Sequence, residues 1–373
     1  MSRPIRDSIA ANWSHHHREI SPMFLLREAL PTDLDQLRGL ARTLNTLNLP
    51  DDSARLKRLV QISRESFDGT YRKPRFRDYL FVLEDVAEKR LIGSCLIIAQ
   101  HGTHERPAVY YDVHNEQKYS STLDKLIIHR VLQLRFDYDG PTEIGGLILA
   151  PEYRAHPLKL GRILSFVRFL FIGLHRDLFR DEVVAELLPP LNDDGTSDLW
   201  DCLGRNFTGL NYREADLLSR DNVEFIRNLF PSKPIYTALL PEHVRKIIGV
   251  VGEKTVPARR MLEKIGFEWD NSIDPFDGGP TFAVKTDDCA PIINTRRLAY
   301  LGPIAQDAAP DGQALVALDT LDKEQPDAEM KPRFQAVYCD YRLAEGGAEI
   351  NLPDLPGFDA LARGAEVGLL PFD

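Results

Sequence analysis

The run Glu143-Ile-Gly-Gly-Leu-Ile-Leu149 leads into the stretch P-E-Y-R-A-H-P-L-K-L-G-R-I-L-S-F-V-R-F-L-F-I, Pro151 to Ile172. This junction constrains the fold more than any other part of the chain. The apolar run predicts a strand, and the apolar continuation from Leu160 predicts a helix of about three turns. Between them lies a turn carrying Arg154, Lys159 and Arg162. A helix N-terminus offers unpaired N–H groups and the positive end of the dipole, so the junction is a candidate seat for a pyrophosphate. Gly161 permits close backbone approach there, whereas Pro157 has no N–H to offer. A plain strand-to-helix turn with surface cations fits the same local pattern equally well.

The remaining pattern is mixed. Met23 to Arg27 reads as a short strand, followed by a helix over Pro31 to Leu44 with Thr32 or Asp33 as its N-cap. Tyr79 to Leu83 and Leu91 to Ala99, joined by a charged turn, predict an antiparallel pair. Glu182 to Leu187 is the next strand, and Asp198 to Gly204 a short helix. Pro257 to Trp269 (short amphipathic helix, glycine, aromatic strand) echoes Asp198 to Tyr212, which suggests two related lobes. From about Pro303 the chain becomes rich in Ala, Asp, Gly and Pro and reads as a linker or long loop. Arg333 to Tyr338 and an acidic, loop-rich end follow.

Composition removes several function classes. With 373 residues the chain can bury the cores of two or three lobes. No apolar run approaches the ~20 residues that a membrane helix needs. Phe166 to Leu174 is interrupted by Arg168 and reads as a core helix. A net charge of −10 argues against nucleic-acid or membrane-surface partners, so an anionic ligand would need a local basic pocket. Cys95, Cys202, Cys289 and Cys339 lack C-x-x-C spacing, which suits a reducing cytoplasm and disfavours zinc. His15, His16 and His17 belong to a polar leader without an apolar signal block, and no metal is expected. Trp200 and Trp269 read as core aromatics.

Several short blocks occur in one order: Tyr79-Leu-Phe-Val-Leu-Glu-Asp85, E-I-G-G-L-I-L, Leu164-Ser-Phe-Val-Arg-Phe-Leu-Phe171 and Ala185-Glu186. Leu203-Gly-Arg-Asn-Phe207, Pro234-Ile-Tyr236, Thr255-Val-Pro-Ala-Arg259, Gly266-Phe267 and Phe276-Asp-Gly-Gly-Pro-Thr281 continue it. On these blocks the chain resembles the bacterial arginine N-succinyltransferase family of the GNAT acyltransferase superfamily, from about Met23 to Thr281. The resemblance implies an α+β fold of tandem GNAT-like acyltransferase lobes, mostly antiparallel sheets flanked by helices, with a small C-terminal β unit. The expected division is a polar extension over 1–22, a first lobe over 23–220, a second lobe segment over 221–290, and a linker with the β unit over 291–373.

The resemblance further implies transfer of a succinyl group from succinyl-CoA to the α-amine of arginine, by direct attack, with another acyl-CoA as donor and a similar amine as acceptor left open by the sequence. Leu147, Ile148 and Leu149 would meet the acyl-CoA, with backbone N–H groups on the thioester carbonyl. Arg154, Lys159, Leu160, Gly161, Arg162 and Ile163 would hold the pyrophosphate. Glu186 and Asp277 are candidate partners for the cationic acceptor, and capping of neighbouring backbone groups is the alternative for each. Three positions depart from the family pattern. The phosphate turn is longer and has one glycine fewer. Leu188 and Pro189 replace an arginine and a glycine. Gly252 stands where the family has its proton-handling histidine, leaving Glu253 and His243 as candidate bases. A homodimer would be usual for the fold. The competing reading is a non-catalytic homologue or partner subunit.

Overall fold

The computed structural model describes residues 23–44, 52–220, 222–321 and 331–372. The extension over 1–22, with its three histidines, lies outside them. The fifteen strands are β1 (Phe24–Glu28), β2 (Asp78–Asp85), β3 (Arg90–Ile98), β4 (Ala108–Ser120) and β5 (Lys125–Asp137). Next come β6 (Thr142–Leu149), β7 (Glu182–Glu186), β8 (Ile235–Tyr236), β9 (Glu268–Ile273) and β10 (Pro280–Lys285). The last five are β11 (Arg296–Gly302), β12 (Gly312–Asp319), β13 (Phe334–Ala344), β14 (Gly347–Ile350) and β15 (Glu366–Phe372). The helices are α1 (Leu34–Leu44), α2 (Ser53–Phe67), α3 (Leu160–Leu174), α4 (Asp198–Cys202) and α5 (Gly204–Thr208). They continue with α6 (Tyr212–Ser219), α7 (Glu224–Leu229), α8 (Glu242–Ile247), α9 (Val256–Glu263) and α10 (Ala290–Asn294).

The α+β class holds, and its strands form one hydrogen-bonded series: β12-β15-β11-β14-β13-β1-β2-β3-β6-β7-β10-β9-β4-β5-β8. β10 pairs with β7, β9 with β4 and β8 with β5, so within residues 23–290 the sheet crosses the expected 220/221 border three times. Three buried apolar clusters follow this series. The first lies around β2, β3 and α3, the second between β4, β5, β9 and the helices α4 to α8, and the third inside β11 to β15. In the first, Phe67, Tyr79, Phe81, Phe171 and Phe334 pack with ring centroids 4.8 to 5.6 Å apart. These rings lock α2, β2, α3 and β13 together, each burying a large apolar area.

Two local readings change and one element is new. Asp33 is neither an N-cap nor solvent-facing. It is the third residue of a 3-10 turn, where it accepts from the Leu30 amide at 2.7 Å and from Arg27 at 2.6 and 2.9 Å. The demand of the buried Arg27 guanidinium holds it there. The linker read from Pro303 contains β12, whose Ala314, Leu315, Val316 and Ala317 are fully buried. Its pairing with both β13 and β15 closes β12-β15-β11-β14-β13 into a five-stranded barrel. The hairpin of β4 and β5, paired rung for rung from Ala108–Asp137 to Ser120–Lys125, was not read from the sequence at all.

Candidate active site

The strand at the junction is bent by its own sequence. Ser94 faces Ile148 and Leu96 faces Gly145, so Gly146 and Leu147 together stand opposite Cys95. That is a β-bulge. Gly146 has φ +58°, a left-handed conformation that favours glycine. On the other side β6 meets β7 in parallel at only two rungs, Thr142–Val183 and Glu143–Val184. Beyond these no rung joins the two strands, while β7 continues against β10 as far as Glu186. Leu147 is half-buried and Ile148 and Leu149 are buried along the gap.

The turn that follows is folded more tightly than its sequence suggests. Arg154 is exposed, but its Nε donates to the Leu149 carbonyl at 3.1 Å and ties the turn to the strand end. Lys159 precedes α3 in a left-handed conformation, φ +53°. The amides of Arg162 and Ile163 donate to the Lys159 carbonyl at 2.8 and 3.3 Å, leaving those of Leu160 and Gly161 at the open end of the helix. Of the helix residues expected at the pyrophosphate, Leu160 and Gly161 therefore offer their amides, and Arg162 and Ile163 do not. The Arg162 guanidinium lies over Phe166 and Phe372, 4.9 and 4.7 Å from the ring centres. A Cβ on Gly161 would meet only Leu149 Cδ2, at 3.8 Å, so internal packing does not demand glycine there.

Across the splay lies a group of carboxylates. Glu143, at the start of β6, accepts from His101 Nδ1 at 2.8 Å. Burial works against the imidazolium, but Glu143 outweighs it and raises His101 to about 9. Burial likewise opposes the Glu143 charge, and His101 overcomes it, holding this carboxyl below its ordinary range. Glu186 opens to solvent at the end of β7, in a cleft whose walls still desolvate it. That desolvation, with the charges of Glu143 and Asp277, pushes it up to about 7. Asp274 rises to about 8 by burial and by Glu186, and Asp277 rises well above its usual range by burial and by Asp274. Asp274 accepts from the amides of Phe276 and Asp277 at 2.7 and 3.0 Å, and Asp277 caps Gly279 at 2.8 Å. Tyr212 donates to Asp277 at 3.5 Å.

The structure brings together Glu186 and Asp277 and sets beside them Glu143, His101, Asp274 and Tyr212, which sequence reasoning did not name. The repeated carboxyl in D-P-F-D-G-G-P was the available signal for Asp274. Such a cleft can hold a cation, and a raised carboxylate in it can accept a proton near neutral pH. Among the described residues, no three His, Cys, Asp or Glu side chains are grouped to hold a metal ion, and no helix is long and apolar enough to cross a membrane.

The family model of the arginine N-succinyltransferase beta subunit matches residues 24–291. The chain belongs to the arginine N-succinyltransferase family. It is 34% identical over 268 residues to the arginine N-succinyltransferase of Photorhabdus laumondii, covering 71% of this chain and 77% of that one. It is 35% identical over 293 residues to the arginine N-succinyltransferase subunit beta of Pseudomonas aeruginosa, covering 77% and 84%. Among solved structures, the arginine/ornithine succinyltransferase subunit AI of Pseudomonas aeruginosa superposes with a TM-score of 0.77 at 28% identity, covering 94% of this chain and 99% of that one.

Two of the positions expected to depart from the arginine N-succinyltransferase pattern touch each other. The Gly252 amide donates to the Leu188 carbonyl at 2.9 Å. A Cβ on Gly252 would lie 2.7 Å from the Pro189 carbonyl oxygen and 3.2 Å from that of Leu188. The backbone of Leu188 and Pro189 thus fills the space that a side chain at 252 would enter. Glu253 is exposed in the 3-10 turn after Gly252, and His243 is exposed on α8. The charges acting most strongly on Glu186, Asp274 and Asp277 include neither of them.

Proposed function

We propose that this chain transfers a succinyl group from succinyl-CoA to the α-amine of arginine by direct attack. The observation that carries the reading is the bulged splay of β6 and β7, with the cation-bearing turn at one end and the carboxylate cleft at the other. The thioester lies along Leu147 to Leu149, and the pyrophosphate meets Arg154, Lys159 and the amides of Leu160 and Gly161. Glu186, Asp274 and Asp277 face the cationic acceptor. The neutral amine attacks the thioester carbon and negative charge gathers on its oxygen. The C–S bond then breaks, the CoA sulfur leaves, and the amine proton departs through a carboxylate or water. Glu186, with acidity near neutrality, suits that proton better than Glu253 or His243 on the open surface.

The chain works in the cytoplasm as a homodimer joined through the β4–β5 arm. Support comes from the arm's outer half, where Tyr119, Leu123, Leu126, Ile127 and Ile128 are all exposed, an apolar surface of the kind that partners cover. Calorimetric titration with succinyl-CoA, with CoA, and then with arginine tests the reading. Binding of the donor, weakened in Arg154→Ala, is expected. A folded protein that binds neither CoA nor its thioester would overturn it.

A further inference from the structure

Arg168 is 3% exposed, and no carboxylate among the described residues pairs with it. Its Nε donates to the Ser165 carbonyl at 3.1 Å and its Nη2 to Ser165 Oγ at 2.7 Å. Its Nη1 crosses from α3 to β6 and donates to the Gly145 carbonyl at 3.1 Å. The titratable neighbour acting on it is Cys95, whose thiol burial pushes up to about 12 and so keeps neutral. Burial lowers the pKa of Arg168, yet a guanidinium remains a cation at physiological pH. A buried charge without an anionic partner is a cost to the fold, and an apolar side chain of similar length avoids it.

The position of that charge is informative. Gly145 is the residue entering the bulge, and Gly146 and Leu147 are the two residues that share Cys95 as their opposite number. A carbonyl that accepts a charge-assisted hydrogen bond polarises its peptide and strengthens that peptide's own N–H as a donor. A fixed positive charge in a low-dielectric wall also favours negative charge developing nearby far more than it would in water.

We propose that Arg168 is a positioning residue for acyl transfer: it fixes the Gly145–Gly146 peptide at the bulge and stabilises the negative charge that forms on the thioester oxygen. The inference rests on the acyl-CoA reading of the splay. Arg168 keeps its protons throughout. The electron pair driven onto the thioester oxygen by amine attack returns to carbon as the C–S bond breaks.

The test uses Arg168→Met and Arg168→Lys in the full chain, read by thermal unfolding, by thiol release from succinyl-CoA with arginine, and by the infrared carbonyl stretch of bound 13C-labelled succinyl-CoA. Arg168→Met should keep or raise the melting temperature, lower kcat by about 10²-fold and leave KM for arginine unchanged. The bound carbonyl stretch should lie below that of free succinyl-CoA in wild type and return towards it in Arg168→Met, with partial recovery in Arg168→Lys. A folded Arg168→Met protein with wild-type kcat and carbonyl stretch overturns the proposal. So does a variant whose activity and melting temperature fall together, because the role is then structural. If wild type binds succinyl-CoA without turnover, the acceptor reading fails while the infrared comparison still decides the role of Arg168. No binding by wild type removes both.

Discussion

At the scale of single residues, Gly252 and Pro189 form one packing unit. Placing a histidine at position 252 forces its Cβ against the Pro189 carbonyl at 2.7 Å, and overpacking of this kind costs about 1–3 kcal/mol. Gly252→His should therefore lower the melting temperature without raising turnover. A gain in thiol release from that variant would show that the backbone yields and that only the imidazole was missing. Glu186 makes the opposite prediction. Because it titrates at about 7, turnover should rise with pH through neutrality, and Glu186→Gln should flatten that limb of the kcat/KM profile. An unchanged profile would assign the proton to another group. Glu186 and Asp277 were legible in the sequence because each sits in a short block with turn or strand-end chemistry. Glu143 and His101 were not, since their ion pair joins residues 42 positions apart in the chain (143 − 101).

At the scale of elements, the junction of β6, turn and α3 was readable because the apolar pattern changes period there. Its details were not. The bulge at Gly146 depends on the register with β3, and the amides of Arg162 and Ile163 are taken up by the Lys159 carbonyl. Gly161 gives a clean test. Alanine is the better helix former by about 1 kcal/mol, and its Cβ would meet only Leu149 at 3.8 Å. Gly161→Ala should thus hold or raise the melting temperature while weakening succinyl-CoA binding in a titration. Equal binding would mean that no ligand approaches that face of the helix. The β4–β5 hairpin was missed because β4 turns polar from Asn115 to Ser120 while Leu126, Ile127 and Ile128 of β5 are apolar in succession, so neither strand shows the alternation that marks a half-buried strand. β12 was hidden by its alanine- and glycine-rich surroundings, and only closure of the barrel defines it.

At the scale of the whole molecule, one hydrogen-bonded series of strands carries the barrel at one end and the β5–β8 edge at the other. The arm near that edge gives a test of assembly. Ile127→Asp with Ile128→Lys should convert a dimer to a monomer in analytical ultracentrifugation, and a wild-type monomer would remove the homodimer from the account. The carboxylate cleft gives a test of stability. Glu186 and Asp274 hold their protons more tightly in the folded chain than their ordinary values of 4.5 and 3.8 allow. The folded state then binds more protons than the unfolded one as pH rises through about 5 to 8, so stability contributed by these groups falls across that window. Arginine should offset this loss, raising the melting temperature more at about pH 8 than at about pH 5.5. An arginine effect independent of pH would argue that the cleft does not hold the cation.

The central claim is acyl transfer at the splay, and steady-state thiol release from succinyl-CoA with mass analysis of the product tests it most directly. The account predicts release that requires arginine, a product bearing one succinyl group on the α-amine, and a lower rate in both Arg154→Ala and Glu186→Gln. A folded wild-type chain that releases no thiol above background, over a panel of amines and acyl-CoAs, would contradict it.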